Sequence, residues 1–305
     1  MTDKKKIKPV MRLKHFTPLR YPGGKGKLAA YVKEIIETND LSDGEYAEPY
    51  AGGAAIALEL LFQKYVSRIR INDVSVHVYS FWKSVLNDTE ELCRRVKNTR
   101  MTVAAWDRQK RIFANPTDHD YVSIGFATFF LNRTNRSGIL NGGVIGGRDQ
   151  SGPWKMDARY NADELVFRIE SIAKKKDFIS LTRSDAISFL KLGLPKWSKK
   201  SLVYLDPPYY EQGRQLYYDY YKAEDHEEVA EFVTDKMSKH HWIVSYDNVA
   251  EIRKLYGDFS SITYNVGYTA REQRIGREVM FFSPSLTIPG LVGPVQQVGR
   301  IKRAA

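Results

Sequence analysis

Strand-like and helix-like patterns alternate along two separate parts of this 305-residue chain. In the first part, runs at 45–49 and 68–73 have the pattern of strands and flank an apolar helical segment at 54–65. In the second part, helical segments separate strand-like runs at 177–181, 201–205 and 241–245. Two further strand candidates, 260–266 and 278–283, flank an Arg-rich connection. Alternation of this kind is typical of a sheet covered by helices, and it predicts an α/β fold.

Helical patterns without strands fill the interval between the two alternating parts, apart from a Gly-rich, turn-rich stretch at 137–153. We interpret this interval as an inserted, mainly helical domain. The segment after the last strand-like run has Gly, Pro and scattered basic residues, and we expect it to pack loosely or to be disordered. The predicted domains are a basic tail at 1–17, one domain formed by 18–74 and 177–283, the insertion at 75–176, and a C-terminal tail at 284–305.

Charge and composition limit the classes of partner and compartment. The formal net charge is +11, which favours a polyanionic partner because lysine and arginine release counterions from phosphates. No apolar run approaches the roughly 18 residues of a membrane helix, and the basic start lacks the apolar segment of a secretory signal. The chain has a single cysteine, Cys93, and no Cys/His cluster, so we expect a cytoplasmic protein without a metal.

The sequence Asp206-Pro207-Pro208-Tyr209 directly follows an apolar strand-like run. Ligands of open α/β sheets bind at the carboxyl ends of strands, so these residues should face a crevice. The two prolines fix the backbone and remove two N–H donors, which leaves carbonyl oxygens and one carboxylate as acceptors. A loop of this kind is suited to accept hydrogen bonds from N–H groups. An acidic turn that only ends a strand could have the same sequence.

The amino group of adenine fits these acceptors. Its nitrogen is a poor nucleophile because the lone pair is delocalised into the ring, and two acceptors on its hydrogens favour the pyramidal form that can attack. We expect the Asp206 carboxylate and the Pro207 carbonyl to hold this group, and Tyr209 to stack on the base. A base inside a duplex must first be flipped out to reach such a loop.

A turn of small residues lies between the first strand-like run and the apolar helical segment. Small side chains let a ligand approach the backbone closely, and the turn matches neither the phosphate-loop pattern nor GxGxxG. A nucleotide-like ligand without a phosphate chain fits better, and Asp73, after the next strand, is suitably placed to accept from ribose hydroxyls. This describes S-adenosylmethionine, although ordinary helix–strand packing is an alternative. The candidate residues of the turn are Glu48, Pro49, Tyr50, Gly52 and Gly53.

Three segments together resemble the Dam-type DNA adenine methyltransferases of the α motif order. The run 20–25 is similar to that family's N-terminal cofactor motif, 48–54 to its glycine motif and 206–209 to its catalytic motif. The resemblance implies a Rossmann-like methyltransferase fold with a seven-stranded mixed sheet and a mainly helical inserted target-recognition domain. It also implies an S-adenosylmethionine site lined by Tyr21, Gly23, Gly24, Lys25, Asp73 and Asp206.

The same resemblance implies that Asp185 binds the adenine of the cofactor. The surrounding sequence, Arg183-Ser184-Asp185-Ala186, departs from the Gly-Asp-Phe-like form expected at this position of the family pattern. Asp185 is therefore the cofactor residue with the weakest match to the motif.

Candidate DNA contacts fall in two places. The run 130–138 resembles a family stretch that lies beside DNA, and arginine pairs with guanine as asparagine does with adenine. Arg133, Asn135 and Arg136 are therefore candidate contacts, unless they only cap the preceding helix. Arg271 and Arg274 lie between two late strand-like runs, where a hairpin could reach phosphates or a loop could simply be solvated.

The resemblance implies that a methyl group passes from S-adenosylmethionine to the exocyclic amino nitrogen of adenine in double-stranded DNA. The transfer would be direct, without a covalent enzyme intermediate, a metal or a second cofactor. Two alternatives stay open: methylation of the cytosine amino group, and a DNA-binding regulatory or defence-system subunit that keeps a cofactor site without turnover. A partner protein of a restriction or defence system could accompany the chain.

Overall fold

The computed structural model describes residues 15–20, 25–211, 221–268 and 274–303. Four of the predicted site residues lie outside the described residues. They are Tyr21, Gly23, Gly24 and Arg271.

The centre of the fold is one mixed sheet, which contains eight strands among the described residues. They are β1 (Glu45–Glu48), β2 (Arg68–Asn72), β3 (Ile179–Thr182), β4 (Leu202–Leu205), β5 (His241–Asp247), β6 (Ser261–Tyr268), β7 (Arg274–Phe282) and β8 (Gln296–Lys302). Their order is β3-β2-β1-β4-β5-β7-β6-β8. Strands β1 to β5 are parallel, and β7 runs antiparallel to β5 and β6. The strand order reverses between β1 and β4, which is where open α/β sheets bind ligands.

Strand β4 shows why both faces of the sheet are covered. All four of its residues are buried, and successive side chains of a strand point to opposite faces. Leu202 and Tyr204 belong to one hydrophobic cluster, whereas Val203 and Leu205 belong to a second one. A strand with two apolar faces requires packing on each side, so the sheet is the middle layer of an α/β fold.

Helices supply those outer layers. The described α-helices are α1 (Ala29–Thr38), α2 (Ala55–Phe62), α3 (Val76–Asn87), α4 (Thr89–Asn98), α5 (Val103–Ala114), α6 (Tyr121–Thr134), α7 (Ala162–Ala173), α8 (Ala186–Gly193), α9 (Ala223–Glu231) and α10 (Ala250–Leu255). In the part of the chain that the structure describes, none of the helices has the length and apolar character needed to cross a membrane.

Helices α3 to α7 follow one another between β2 and β3. Helix α6 is buried along nearly its whole length and approaches α3 closely at Gly125, where a Cβ would lie 2.5 Å from the Ser80 carbonyl oxygen. Only glycine allows this approach. The side chains of Asp120 and Asn161 cap α6 and α7 by accepting from the backbone N–H three residues on, at 2.7 and 3.2 Å.

The fold class agrees with the prediction, but the described residues form a sheet of eight strands rather than seven. The additional strand, β8, comes from the segment that was expected to pack loosely, and it pairs antiparallel with β6. Leu286 and Val295 are buried ahead of it. Asn39 fixes the same segment, since its side chain exchanges two hydrogen bonds with the backbone of Thr287, at 2.7 and 2.9 Å.

Candidate active site

A cavity of about 880 Å³ opens at the carboxyl ends of the parallel strands. Its walls come from the glycine turn after β1, the loop after β4 and parts of the segment between β2 and β3. Its volume lies within the usual range of small-molecule sites. The cavity brings together many of the residues that the sequence singled out, namely Lys25, Glu48, Pro49, Tyr50, Gly52, Gly53, Asp73, Arg133, Asp206 and Pro208.

Three side chains outside the turn hold its two glycines, Gly52 and Gly53, by hydrogen bonds. An Asp73 carboxylate oxygen accepts from the Gly52 N–H at 2.9 Å, the Trp82 indole N–H donates to the Gly52 carbonyl at 2.8 Å, and the Thr17 hydroxyl donates to the Gly53 carbonyl at 2.5 Å. Gly52 has a φ of 45°, which favours glycine. Asp73 also accepts from the Ser75 N–H at 3.0 Å, and a carboxylate can accept about four hydrogen bonds in all.

Asn72, which sequence reasoning missed, ties the edge of the cavity together. It is fully buried at the end of β2. Its amide donates to the carbonyls of Pro49 and Ser184 at 3.0 and 2.9 Å, and its oxygen accepts from the Thr182 hydroxyl at 2.8 Å and from the Ser184 N–H at 3.1 Å. One side chain thereby joins the carboxyl ends of β1, β2 and β3.

Asp206, the first residue after β4, is oriented through one oxygen. Its Oδ1 lies 2.9 Å from Lys25 Nζ and accepts from the Ser245 hydroxyl at 2.7 Å. Ser245 in turn accepts from the Tyr204 hydroxyl at 2.9 Å. Among the described residues these contacts leave Oδ2 as the oxygen of Asp206 available to a ligand that enters the cavity.

Glu278 is a second residue that sequence reasoning missed. It lies in β7 with no exposed surface. Its Oε2 is 2.8 Å from Lys25 Nζ and accepts from the Tyr264 hydroxyl at 2.6 Å, while its Oε1 accepts from the Tyr209 hydroxyl. Lys25 therefore lies between two carboxylates, those of Asp206 and Glu278.

Burial and charge oppose one another in this cluster. Burial alone would lower the pKa of Lys25, but the carboxylates of Asp206 and Glu278 outweigh it, and the pKa of Lys25 rises well above its usual value. Burial also acts to raise the pKa of Glu278, but Lys25 and two tyrosine hydroxyls reverse the effect and lower it. Burial raises the pKa of Asp206, and Lys25 only partly opposes this. Lys25 is therefore an ammonium group at neutral pH.

Glu48 differs from these two carboxylates because, among the described residues, it forms no ion pair that would offset its burial. It is 5% exposed, and one oxygen accepts from the Ala57 N–H at 3.1 Å. Burial raises the pKa of Glu48 to about 8. Its carboxyl group is thus mostly neutral at pH 7, so it adds little charge to the cavity that it lines.

Tyr209 does not lie where the sequence suggested. Its side chain is only 1% exposed, and Lys25 Nζ lies 5.2 Å from the ring centroid. The ring cannot stack on a base until the groups that cover it move. The chain just beyond it is held by Asp247 at the end of β5, whose two oxygens accept from the backbone N–H groups of Tyr210 and Glu211, both at 2.9 Å.

Asp185 caps a helix. One of its oxygens accepts from the N–H groups of Ile187 and Ser188 at 2.9 and 3.1 Å, at the start of α8. Its neighbours Ser184 and Ala186 line the cavity. The cap accounts for an aspartate at this position without any ligand.

The candidate DNA contacts separate into buried and exposed residues. Asn135 has no exposed surface, its oxygen accepts from the Trp106 indole N–H at 2.7 Å, and its amide donates to two backbone carbonyls. We therefore correct its assignment from a DNA contact to a structural residue. Arg133 is also buried, and its guanidinium donates to the Pro18 carbonyl at 2.7 Å. Arg136 is exposed, and Arg274 begins β7.

One wall of the cavity is strongly basic. Arg133 and three further arginines line it: Arg20, Arg159 and Arg168. Burial lowers the pKa of Arg133 to about 9, and Arg168 and Arg20 add to the effect. The Nη1 atom of Arg20 and the Nε atom of Arg168 are buried without a hydrogen-bond partner in the described structure. Arg168 is paired with Glu164, and the remaining positive charge of this wall suits an anionic ligand.

Metal ligands do not cluster in the part of the chain that the structure describes: no group of three or more His, Cys, Asp or Glu side chains is placed to hold a metal ion.

The sequence matches the model of one protein family, the D12 class N6 adenine-specific DNA methyltransferases, over residues 21–269. The chain belongs to this family. It is accordingly a DNA methyltransferase that transfers a methyl group from S-adenosylmethionine to the exocyclic amino nitrogen of adenine. The match covers the glycine turn, the Asp206 loop and Lys25. No curated protein matches the sequence.

Solved structures with a similar arrangement include the rRNA methyltransferase aviRa from Streptomyces viridochromogenes, with a TM-score of 0.37 and 10% identity over 87% of each chain. Another is TrmK of M. capricolum in complex with S-adenosylhomocysteine, with a TM-score of 0.34 and 6% identity over 82% of this chain and 68% of that one.

The donor set of the cavity fits the family's cofactor. S-adenosylmethionine offers ribose hydroxyls, a flat adenine ring and a cationic sulfur. The cavity supplies the Asp73 carboxylate, a turn of small residues at Gly52 and Gly53, and the carboxylate of Asp206. The ribose hydroxyls and the cationic sulfur of the cofactor thus have chemically suitable partners in the cavity wall.

Proposed function

We propose that this cavity holds S-adenosylmethionine and the target adenine together, with Asp206 as the catalytic acceptor for the adenine amino group. The observation that carries the proposal is the asymmetric use of Asp206: Lys25 and Ser245 both contact Oδ1, so the carboxylate is oriented while Oδ2 stays available. The carbonyl of Pro207 supplies the second acceptor. Together they would hold both hydrogens of the amino group and direct its lone pair toward the methyl group.

The cofactor would occupy the part of the cavity next to the glycine turn. When bound, S-adenosylmethionine supplies a methyl group attached to a positively charged sulfur. Asp73 would accept from the ribose hydroxyls, and the turn would allow close backbone approach. We propose that further residues contact the cofactor, namely Tyr21, Gly23, Gly24, Lys25, Glu48, Pro49, Tyr50 and Asp185.

The proton that the amino nitrogen loses would leave through the same acceptors. Burial raises the pKa of Asp206, which makes its carboxylate a better hydrogen-bond acceptor than an exposed aspartate. Lys25 and Ser245 keep its orientation fixed while the bond to the amino group strengthens. Water beside Asp206 is the final acceptor of the proton, and no covalent bond to the enzyme forms.

Double-stranded DNA would approach from the side of the insertion, residues 75–176, which we propose recognises the target sequence. The basic wall could hold a phosphate of the flipped nucleotide. The exposed Arg136 could contact the backbone, as could Arg274 at the start of β7. Base flipping would also require the groups over Tyr209 to move, if this ring is to stack on adenine. If the enzyme flips the base, the fluorescence of the adenine analogue 2-aminopurine at the target position should increase on binding, because the base leaves the stack.

Asp206→Ala and Asp206→Asn test the catalytic assignment, with Asp258→Ala as a control in an exposed carboxylate. Single-turnover methyl transfer to unmethylated plasmid DNA should fall by at least about 100-fold in both Asp206 variants and stay unchanged in the control. Cofactor binding measured in parallel separates loss of chemistry from loss of binding. Full activity in either Asp206 variant would contradict the assignment.

The cellular setting is part of the same proposal. We expect the protein to work in the cytoplasm, and a restriction enzyme or another defence component is the expected kind of partner protein. Co-purification from the source cell with and without nuclease treatment tests for such a partner, since contacts that DNA merely bridges are lost when the DNA is digested.

A further inference from the structure

Glu278 lies beneath the active site rather than in it. It has no exposed surface and is absent from the described lining of the cavity. Its neighbours along β7, Val279 and Met280, are fully buried apolar residues. A carboxylate in such a place is costly unless charge and hydrogen bonds compensate it, so its presence requires a physical reason.

In the described part of the chain, the ammonium of Lys25 supplies the positive charge that compensates Glu278. The Glu278 carboxylate forms an ion pair with the Lys25 ammonium at 2.8 Å. It also accepts hydrogen bonds from the hydroxyls of Tyr264 and Tyr209. The Asp206 carboxylate forms an ion pair with the same ammonium at 2.9 Å. Among the described side chains two carboxylates therefore share one ammonium, and with both carboxylates ionised these three groups carry one net negative charge.

The net charge would be zero without Glu278. The ammonium of Lys25 would then neutralise Asp206 alone, and the cavity would face a balanced ion pair. Glu48 does not supply the missing charge, because burial raises its pKa to about 8 and leaves it mostly neutral at pH 7. The charge of the site as a whole thus depends on a residue that does not line it.

We propose that Glu278 is a positioning residue that gives the site its negative charge and thereby its preference for the cationic cofactor over the neutral product. The inference rests on the proposed function, in which S-adenosylmethionine binds beside Asp206. S-adenosylmethionine carries a positive charge on sulfur, and S-adenosylhomocysteine, left after transfer, does not. The two molecules otherwise offer the same groups, so a charge on the protein acts selectively on one of them.

The arrangement also favours turnover. A buried negative charge attracts the sulfonium strongly because few water molecules screen the interaction. Transfer of the methyl group removes the positive charge, and the attraction ends at that moment. Glu278 would thus strengthen binding of the cofactor without strengthening binding of the product.

Glu278→Gln tests the proposal because glutamine keeps the size of the side chain and removes its charge. Dissociation constants for both molecules are measured by calorimetry at pH 8 on wild type and variant. We expect the ratio Kd(S-adenosylmethionine)/Kd(S-adenosylhomocysteine) to rise about tenfold, the effect of one charge at several ångströms in a largely buried site. The affinity for S-adenosylhomocysteine should change by less than about threefold.

Two further variants separate charge from structure. Tyr264→Phe removes a hydrogen bond to Glu278 without changing the charge, and it should leave the ratio unchanged. Lys25→Met removes the positive charge and should move the ratio in the opposite direction, which decides the question even if Glu278→Gln does not fold. Equal weakening of both molecules by Glu278→Gln, or no change in the ratio, would overturn the proposal.

Failure of the proposed function gives a different result. If the wild-type protein binds neither molecule, the cavity is not the cofactor site, and the role of Glu278 falls with it. If the wild type binds both and only the ratio fails to respond, the cofactor site stands and Glu278 has a structural role.

Discussion

Removal of the Lys25 ammonium should destabilise the fold by an amount that grows with pH. Lys25→Met keeps most of the length of the side chain but leaves Asp206 and Glu278 without their shared cation, which lies 2.9 and 2.8 Å from them. Breaking a buried ion pair costs about 3–5 kcal/mol. Glu278 is fully buried, whereas the Asp206 side chain is 18% exposed to water, so we expect the lower end, about 3 kcal/mol at pH 8.

The pH dependence follows from the direction of the pKa shifts. In the wild type the pKa of Glu278 is lowered, so the ionised group contributes stability above the pKa of unfolded glutamate, about 4.3, and loses it as the pH falls. Without Lys25, burial alone acts and raises the pKa, so the folded variant becomes less stable as the pH rises. The difference in free energy of unfolding between the two proteins should therefore shrink to about 1 kcal/mol at pH 5. This remaining cost comes from the lost hydrogen bonds.

Urea denaturation followed by tryptophan fluorescence at pH 5, 6.5 and 8 measures this difference. Lys200→Met is the matched control, because its pair with Asp40 is exposed and 3.4 Å long, and it should change the free energy of unfolding by less than about 0.5 kcal/mol at each pH. A loss below about 1 kcal/mol at pH 8 for Lys25→Met, or a loss that does not vary with pH, would refute the reasoning.

Three other predictions concern residues around the cavity. Asn72→Ala should cost about 3 kcal/mol of unfolding free energy, because its buried partners lose their hydrogen bonds; a loss under 1 kcal/mol in urea titrations would contradict the tie between strands. Asp185→Ala should cost about 1 kcal/mol as a lost helix cap, whereas Asp185→Asn keeps the cap and should weaken cofactor binding only if Asp185 binds adenine. Arg136→Ala should weaken DNA binding and reduce its salt dependence by about one counterion without loss of stability, whereas Asn135→Ala should lower the melting temperature; the reverse pattern would restore Asn135 as the contact.

The sequence was most informative where the signal is local. One apolar strand ends in Asp206 and two prolines, and another ends in a turn of small residues before an apolar helix. Each pattern predicts both the strand and the point where it ends. The parallel strands β1 to β5 and the cavity at their carboxyl ends follow from such signals. Glu48, Asp73 and Asp206 come together there because parallel strands end at one edge of a sheet.

Long-range pairing explains most of what the sequence did not reveal. Glu278 looks like the exposed acid of a two-faced strand, and only the place of β7 between β5 and β6 buries it. Asn135 is of a residue type that often contacts DNA, but it caps the end of a helix that is buried on nearly every side. Strand β8 gives a weak signal, because it is mostly exposed and contains Gly299; its pairing with β6 depends on an edge that forms elsewhere in the chain.

Nucleoside mass spectrometry after methyl transfer tests the central claim most directly. Purified protein would be incubated with labelled S-adenosylmethionine and unmethylated plasmid DNA, and the DNA digested to nucleosides. We predict label in N6-methyladenine for the wild type and none for Asp206→Ala. Label in N4-methylcytosine, or equal label in N6-methyladenine from wild type and variant, would contradict the claim that Asp206 serves transfer to adenine.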